Sequence, residues 1–442
     1  MLSRFTGQYD QGMFPWNRPL WLAGRPFAPT VLTALVIVAG LLALERSAGS
    51  AAAQNATAAT GRRIVAIGDV HGAFDQMVGI LQAAGLIDGS QRWSGGNAIL
   101  VQTGDVFDRG PGVRPALDLL MRLEDEAKRA GGRVESLLGN HEMMNLLAEF
   151  RDVSAETYAT FADQRSEDRR KRAYSDYARI ASRQGKRREA VKTRDEWMAA
   201  HPAGYVEYVE ALGPRGVYGR WLRSHQVLVT IDGSVFMHAG VQAGQAADLD
   251  AINKTAAAEV RAWDDTRAAM VQAQLVPPFC TLAEAGEAAA AEVERISAAI
   301  KAEAPIGDHV TREFVDKLQS LFQVGKTSLL DAEGPLWFRG FATWPDSDEP
   351  KVAALVERLG IQRFVTGHTP SSPGRIRARF GNRVFLIDTG MLTSFFKSGR
   401  PSALEIQGGR ITAIYGDARE VLVGEGAGGK GPESRLLRSP GR

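Results

Sequence analysis

The 442-residue sequence predicts an α/β fold, because apolar strands alternate with amphipathic helices from its first ordered stretch onward. Residues 62–67 (RRIVAI) form a β-branched run that ends at Gly68, and apolar residues at helical spacing follow over 74–84. The pattern repeats with an apolar strand at 98–102 and a helix at 113–130. This alternation places polar loops after the carboxyl ends of the strands.

Later parts of the chain add strands and two helical insertions. Further strands are predicted at 135–138, 227–231, 234–237, 365–366 and 384–387, with a hairpin at 403–406 and 411–415. The first insertion, about 150–220, is rich in Arg and Lys and indicates a charged, solvated surface. A basic cap that attracts anionic substrates is the alternative interpretation. The second insertion, about 242–330, is rich in Ala and Glu.

The amino-terminal residues 1–53 read as a signal peptide or an uncleaved membrane anchor. Basic residues precede an apolar run at 31–44, which is short for a membrane span but suits a signal peptide, and Ala-Ala-Ala at 51–53 offers a cleavage site. The rest of the chain is therefore expected to be exported, in a periplasmic or other extracytoplasmic location. Residues 54–61 form a short polar linker.

The domain that follows is expected to span residues 62–423, with a disordered Gly-rich tail at 424–442. The net charge is only +2, so no global field favours nucleic acid as a partner. Membrane contact is expected only through the amino-terminal segment. Cys280 is the single cysteine, which excludes an internal disulfide and a cysteine-based metal site. Any metal must then be bound by His, Asp, Asn or Glu.

Two motifs after the first two strands carry acidic and basic groups. GDVHG provides Asp69 and His71 on a tight turn, at a spacing that directs both side chains toward one ion. GDVFDRG provides Asp105 at the strand end, followed by Asp108 and Arg109. An arginine beside a metal site suits a phosphate group, because its planar fork matches two phosphoryl oxygens.

Three further motifs add imidazole and amide ligands, and a fourth adds an arginine. GNHE contains Asn140 and His141, HAG contains His238, GHTP contains His368, and LWFRG contains Arg339. The histidine motifs also follow predicted strands, so their loops should converge at one edge of the fold. A mixed nitrogen and oxygen set of this kind suits Fe, Mn or Zn better than Ca or Mg.

In this order, GDVHG, GDVFDRG, GNHE, HAG and GHTP resemble the motif series of the phosphoprotein phosphatase branch of the calcineurin-like metallophosphoesterases. More narrowly, GNHEMMN, GPLWFRG and LIDTGM resemble the Shewanella-like protein phosphatases. The resemblance covers residues 64–415. It implies two mixed β-sheets packed face to face in a sandwich, flanked by helices and carrying helical insertions.

The resemblance also implies a role for each motif residue. The implied ligands of two divalent transition metals (Mn, Fe or Zn) are Asp69, His71 and His368 on the first metal, Asn140 and His238 on the second, and Asp105 bridging both. Arg109 and Arg339 would bind the substrate phosphate. His141 would protonate the leaving oxygen, and Asp108 would hold His141 in position.

The implied activity is hydrolysis of phosphoprotein monoesters, with phosphotyrosine as one candidate, by direct attack of a hydroxide that bridges the metals. A small-molecule phosphatase or a dinucleotide polyphosphate hydrolase of the same superfamily is the alternative. A catalytically inactive, membrane-tethered binding module would predict a broken ligand set, and all six ligands are present.

Two departures from the usual motifs bear on the substrate. HAG replaces the usual HGG, which adds one methyl group beside a ligand. Typical serine/threonine phosphatases carry a tyrosine near the site in their C-terminal loop, whereas the comparable residues 387–391 here read IDTGM. The missing tyrosine argues against substrate recognition of the serine/threonine type.

Overall fold

The computed structural model describes residues 61–183, 191–242, 248–416 and 418–424, and the backbone of 436–438. These residues belong to one unit, 59–442. The predicted signal peptide or anchor lies outside the described residues, as does nearly all of the predicted linker. Within the described part of the chain, no helix is long and apolar enough to cross a bilayer.

Twelve strands are found in the described residues: β1 (Ile64–Ile67), β2 (Ile99–Gln102), β3 (Arg133–Ser136), β4 (Leu228–Ile231), β5 (Ser234–Met237), β6 (Arg363–Thr366), β7 (Arg377–Arg379), β8 (Val384–Leu386), β9 (Ala403–Gln407), β10 (Arg410–Tyr415), β11 (Ala418–Val423) and β12 (Leu436–Arg438). They form a seven-stranded sheet in the order β12-β11-β10-β9-β1-β2-β3 and a five-stranded sheet in the order β4-β5-β6-β8-β7.

Both sheets are mixed. In the first sheet β1, β2 and β3 run parallel, and the antiparallel strands β9 to β12 continue the sheet from the other side of β1. In the second sheet β5, β6 and β8 run parallel, with β4 and β7 antiparallel at the two edges. Within each sheet, the parallel strands bring the loops that follow them to one edge.

The two sheets pack face to face through an apolar layer. Val101 and Leu404 of the first sheet belong to the same buried cluster as Phe236, Val365 and Phe385 of the second. Residues on the opposite faces of these strands pack against helices, so the central strands are buried on both sides. This arrangement confirms the sandwich of two mixed sheets that the motif resemblance implies.

Thirteen α-helices are described: α1 (Phe74–Ala83), α2 (Val113–Arg129), α3 (Asn140–Leu146), α4 (Ala155–Ala159), α5 (Ser166–Arg183), α6 (Arg194–Ala200), α7 (Tyr205–Leu212), α8 (Val217–Arg223), α9 (Leu249–Gln272), α10 (Leu282–Lys301), α11 (Arg312–Ser320), α12 (Gly340–Thr343) and α13 (Glu349–Arg358). Met77 of α1 and Leu120 of α2 cover the outer face of the first sheet. Phe341 of α12 and Leu355 of α13 cover the outer face of the second.

Helices α4 to α8 occupy the first insertion, between β3 and β4. Several of its described basic residues are paired: Arg169 contacts Asp163 and Glu207, and Arg170 contacts Glu167. Such pairs are typical of a solvated surface, so this part of the segment fits the charged-surface interpretation better than a basic cap. Helices α9 to α11 and a 3₁₀ helix at Leu321–Lys326 fill the second insertion.

One strand prediction and the prediction for the carboxyl-terminal tail differ from the structure. The third strand runs over Arg133–Ser136 rather than over 135–138. Residues 137 and 138 already belong to the loop that leads to α3. The predicted disordered tail includes residues 436–438, which instead form β12 beside β11. The edge of β11 offers unpaired backbone N–H and C=O groups, so a segment of unpromising composition can still pair there. Residues 425–435 and 439–442 lie outside the described residues.

Candidate metal centre

The six predicted metal ligands lie together at the carboxyl ends of β1, β2, β3, β5 and β6. Each follows its strand by a short loop, and both sheets contribute: Asp69, His71, Asp105 and Asn140 from the first sheet, His238 and His368 from the second. Every one is buried, with at most 6% of its surface exposed. Buried carboxylates and imidazoles require a compensating charge or hydrogen bond.

Asp105 lies at the centre of the cluster. Its Oδ2 is 3.6 Å from Nε2 of His71 and 3.3 Å from Nε2 of His238. Of three groups of described side chains that could each hold an ion, two contain Asp105: one adds His71 and His141, the other His238 and His368. This position matches the bridging role that the motif resemblance implies. Asp69 adds a carboxylate oxygen 3.8 Å from Nε2 of His71.

The three ligand histidines have their tautomers set by backbone carbonyl groups. Nδ1 of His71 lies 2.9 Å from the Phe107 oxygen, and Nδ1 of His238 lies 3.0 Å from the Thr103 oxygen. Nε2 of His368 lies 3.1 Å from the Trp337 oxygen. Because a carbonyl oxygen only accepts, the nitrogen facing it must donate its proton. In a neutral ring the other nitrogen keeps its lone pair and faces the cluster, as in metal-binding histidines.

The arrangement of these acceptors fits a cation. Nε2 of His238 lies 3.1 Å from Nδ1 of His368 and 2.8 Å from Oδ1 of Asn140. With both rings neutral, these atoms are lone-pair acceptors that face each other, and they repel unless a positive charge lies among them. A bound cation provides that charge, and so does a proton on His238, whose pKa Asp105 raises against the effect of burial. Nitrogen and oxygen donors in this mixture suit a divalent transition metal.

Burial and charge shape the protonation of the cluster. Burial lowers the pKa of His71 to about 3, so this imidazole is neutral and able to bind a metal. Burial alone would raise the pKa of Asp105, but the neighbouring His238 and His141 outweigh it and hold that pKa well below its usual value. Asp105 is therefore an anion at neutral pH.

Asp388 is a buried carboxyl group of the site that the sequence reasoning missed. It follows β8 and hydrogen-bonds Asp69; burial, then Asp388 and Asp105, raise the pKa of Asp69 well above its usual value. Burial also raises the pKa of Asp388 to about 6. Its context, an apolar strand followed by an aspartate and a glycine turn, is the same as that of Asp69 and Asp105, and could have identified it.

The two predicted phosphate-binding arginines border the cluster. Nη1 of Arg109 donates to Nε2 of His71 at 2.6 Å, and Nη2 lies 3.3 Å from Nε2 of His141. Arg339 lies beside His368, where Nη1 donates to the His368 carbonyl oxygen at 3.3 Å and to Oγ1 of Thr369 at 3.1 Å. Both guanidinium groups can therefore reach an anion that binds at the cluster.

His141 and Asp108 form a hydrogen-bonded pair next to Arg109. Nδ1 of His141 lies 2.6 Å from Oδ2 of Asp108, and Nε2 of His141 points toward Asp105 at 3.8 Å. Burial would lower the pKa of His141, but Asp105 and Asp108 outweigh it and raise the pKa. These carboxylates therefore favour the protonated imidazole, whose Nε2 is directed at the cluster.

The calcineurin-like phosphoesterase family matches residues 62–249, the part of the chain that carries Asp69, His71, Asp105, Asn140 and His238. Residues 62–249 are thus assigned to the calcineurin-like phosphoesterases. This family uses divalent metals and acts on phosphoester substrates, so the protein is a metallophosphoesterase and a hydrolase. The two groups of side chains that share Asp105 and could each hold an ion fit that chemistry.

Two relatives are similar to this chain, and the second supports the phosphoprotein phosphatase branch of this superfamily. An uncharacterized protein of Schizosaccharomyces pombe is 27% identical over 350 residues, which cover 78% of this chain and 76% of that protein. Shewanella-like protein phosphatase 2 of Arabidopsis thaliana is 35% identical over 214 residues, covering 46% of this chain and 51% of that protein.

A solved structure of a cold-active protein tyrosine phosphatase superposes with a TM-score of 0.51 and 22% identity, over 82% of this chain and 78% of that one. A second, the cold-active protein-tyrosine phosphatase of a psychrophilic Shewanella species, superposes with a TM-score of 0.50. These two structures confirm the metallophosphoesterase fold.

Glu142 anchors the ligand loops of this phosphoesterase. Its carboxylate accepts hydrogen bonds from the backbone N–H groups of Asp105, Val106 and Gly139, each at 2.7 Å. The loops after β2 and β3 are thereby tied to one side chain at the start of α3. A side chain at position 139 would collide with the Asp105 carboxylate, so only glycine allows this approach.

The phosphoesterase centre also contains strained backbone. Five of its residues adopt a left-handed conformation with φ between 47° and 70°: His71, Asp105, Asp108, Arg109 and His368. Such conformations cost about 1 kcal/mol or more each and persist only where the surrounding structure enforces them. Here the enforced turns aim the side chains at a common point, which no regular element could do.

A cavity of about 590 Å³ lies away from these groups, between the two helical insertions. Its walls include Tyr158, Trp197 and Phe279, and none of the predicted site residues lines it. The buried polar cluster of the phosphoesterase, rather than this cavity, carries the groups that can do chemistry.

Proposed function

We propose that the protein hydrolyses phosphate monoesters on proteins, phosphotyrosine among them, at the centre built around Asp105. The observation that carries the proposal is the position of Arg109, whose guanidinium contacts both a predicted metal ligand, His71, and the predicted proton donor, His141. A phosphoryl group held by this arginine would lie beside both. Phosphate binding, charge neutralisation and proton donation therefore meet at one point.

The ligand assignments of the motif resemblance carry over to the proposal. Asp69, His71 and His368 would hold one metal, Asn140 and His238 the other, and Asp105 would bridge both. When bound, two such cations supply Lewis acidity, which neutralises charge on phosphoryl oxygens and lowers the pKa of water. Manganese, iron and zinc all suit the donor set.

The other residues bind and orient the substrate. Arg109 and Arg339 donate hydrogen bonds to the phosphoryl oxygens, where negative charge increases in the transition state. His141 donates the proton on Nε2 to the leaving oxygen, while Asp108 accepts from Nδ1 and fixes the orientation of the ring. Asp105 and Asp108 raise the pKa of His141, which favours the protonated form of the ring.

The names of the similar proteins support phosphoproteins as the substrate class. Shewanella-like protein phosphatase 2 and the cold-active protein tyrosine phosphatase are both named for protein substrates. A dinucleotide polyphosphate is the second candidate, because a bacterial bis(5'-nucleosyl)-tetraphosphatase matches at 36% identity over 88 residues. That match covers only 20% of this chain. Export of the protein through residues 1–53 stays a prediction.

The test is a rate comparison for the purified, manganese-loaded protein on phosphopeptides, nucleotides, sugar phosphates and a dinucleotide tetraphosphate. We expect the highest kcat/KM on a phosphopeptide. Asp105→Asn and His141→Ala should lose that activity, while Asp125→Asn, at an exposed position of α2, should retain it. Full activity in both site variants would refute the site, and a preference for the dinucleotide would refute the substrate class.

A further inference from the structure

The side chain of Phe395 is apolar and exposed to solvent. It is 59% exposed, more than any other large hydrophobic residue in the described part of the chain. A single exposed hydrophobic residue is ordinary on a protein surface and needs no explanation by itself. Phe395 is informative because of where it lies relative to the predicted phosphate-binding residues.

The ring of Phe395 lies against the predicted phosphate-binding arginine. Its centroid is 5.0 Å from the guanidinium carbon of Arg109, and the neighbouring Phe396 is 5.5 Å from the same atom. The two phenyl rings meet edge to face at 4.9 Å. Phe396 in turn lies 6.5 Å from the ring of His71. Phe396 and Phe395 therefore form an aromatic wall, which begins beside the predicted metal ligand His71 and ends in solvent at Phe395.

The loop that carries Phe395 is fixed by hydrogen bonds at its base. The Arg400 N–H donates to the Thr389 oxygen at 3.1 Å, and the Thr389 hydroxyl lies 2.7 Å from both the Arg400 oxygen and the Ser402 hydroxyl. Near the tip, the N–H group of Phe395 donates to the oxygen of buried Leu392 at 3.0 Å. The backbone that carries the ring is thus held in place before any substrate arrives, which reduces the entropy lost on binding.

We propose that Phe395 is a specificity-determining residue that binds the aromatic ring of an aryl phosphate ester, such as phosphotyrosine. The inference rests on the proposed function, in which Arg109 binds the phosphoryl group. In an aryl phosphate one oxygen separates the ring from phosphorus, so the ring must lie among the side chains that surround Arg109. Phe395 offers the exposed aromatic surface there.

The chemistry of the leaving group distinguishes aryl from alkyl esters at this wall. Two aromatic rings attract each other at centroid separations of roughly 4.5–7 Å through offset or edge-to-face contacts. Phosphoserine places a single methylene group at the same position and offers no ring. Phe395 should therefore favour aryl esters over alkyl esters, with phosphate binding common to both.

The experiment compares Phe395→Ala with the wild type on two matched pairs of substrates: phenyl phosphate with ethyl phosphate, and a phosphotyrosine peptide with its phosphoserine counterpart. We expect kcat/KM for the aryl substrates to fall about three- to tenfold, with little change for the alkyl substrates. Phe395→Trp should retain the preference, and Phe395→Leu, which is apolar without a ring, should lose most of it. Thr393→Ala, exposed on the same loop, is the control and should leave both rates unchanged.

The outcomes separate this inference from the proposed function. An equal fall for aryl and alkyl esters, or an unchanged ratio between them, would overturn the role of Phe395. If phenyl phosphate shows the expected dependence on Phe395 but neither peptide is hydrolysed, the aryl site stands and the phosphoprotein substrate is wrong. If neither pair of substrates is hydrolysed, both proposals are wrong.

Discussion

The hydroxyl group of Tyr208 donates a 2.5 Å hydrogen bond to Oδ1 of Asn145. Both residues are buried, and Nδ2 of Asn145 donates to Oδ1 of Asp108 at 3.0 Å. Burial, with a smaller effect of Asp108, raises the pKa of Tyr208 well above its usual value, so the phenol remains a donor. Tyr208 lies on α7, so the first helical insertion helps to position the His141–Asp108 pair.

We predict that Tyr208→Phe lowers kcat without reducing the bound metal. Losing one neutral hydrogen bond costs about 1 kcal/mol, which corresponds to a roughly fivefold slower reaction if the loss is felt in the transition state. The effect should be larger for phenyl phosphate than for an ester with a better leaving group, because His141 acts on the leaving oxygen. Steady-state kinetics and metal analysis test this.

Tyr218→Phe is the matched control for that variant. The Tyr218 hydroxyl donates to Asp118 instead of a site residue, so this variant should keep the wild-type kcat. An unchanged kcat in Tyr208→Phe would show that Asn145 holds Asp108 without help from the insertion.

We predict that Asp388→Asn stabilises the metal-free protein and weakens metal binding. Asn keeps the acceptor for the Gly390 N–H, which donates to Asp388 at 2.9 Å. It removes a buried negative charge that repels the carboxylates of Asp69 and Asp105. A bound cation instead benefits from that extra negative charge. The Tm in chelator should therefore rise, and the Tm increase on adding manganese should shrink.

Asp125→Asn serves as the control for that measurement, because Asp125 is exposed on α2. Its Tm values with and without manganese should match those of the wild type. A manganese-induced shift in Asp388→Asn as large as in the wild type would mean that Asp388 does not influence the metal.

We predict that Glu142→Gln destabilises the protein even without metal. The Glu142 carboxylate accepts four backbone hydrogen bonds, and a glutamine at this position would present an N–H group to at least one donor. The loss of one hydrogen bond to a charged group costs about 1.5–3 kcal/mol. Denaturant unfolding measures the free energy, and exposed Glu287→Gln is the control. A wild-type free energy of unfolding would contradict the anchoring role.

We predict that stability falls with rising pH partly through His225. Burial would lower the pKa of this imidazole, but Glu124, at 2.9 Å from Nε2, outweighs burial and raises it above its ordinary value of 6.5. Because the folded-state pKa is the higher one, this stabilisation is fully present below the ordinary value. It is lost as the pH rises through the raised value.

The free energy of unfolding of wild type and His225→Gln, measured over that pH range, isolates the contribution of His225. All other titrating groups are shared, so the difference between the two proteins should shrink as the pH rises. Curves that stay parallel would show that the Glu124–His225 pair contributes nothing that depends on charge.

The convergence of the six candidate ligands was predictable because each belongs to a local pattern. Asp69, Asp105 and His238 each follow an apolar strand at a turn that contains glycine, and parallel strands bring such turns to one edge. Asp388 has the same pattern and shows that the rule could have been applied further. Tyr208 has none, because it lies 63 residues from Asn145 within an insertion whose packing no local pattern predicts.

Strand and helix alternation, turn glycines and the chemical types of the ligands are properties of a few neighbouring residues, so the amino-acid sequence alone was enough to predict them. The packing of the two sheets is different, since it depends on contacts between distant segments. Only that packing brings His238 and His368 to Asp105, ties Asp388 to Asp69 and places Phe395 against Arg109. The candidate metal ligands could thus be predicted from local motifs, while the aromatic wall that would select the leaving group exists only in the folded chain.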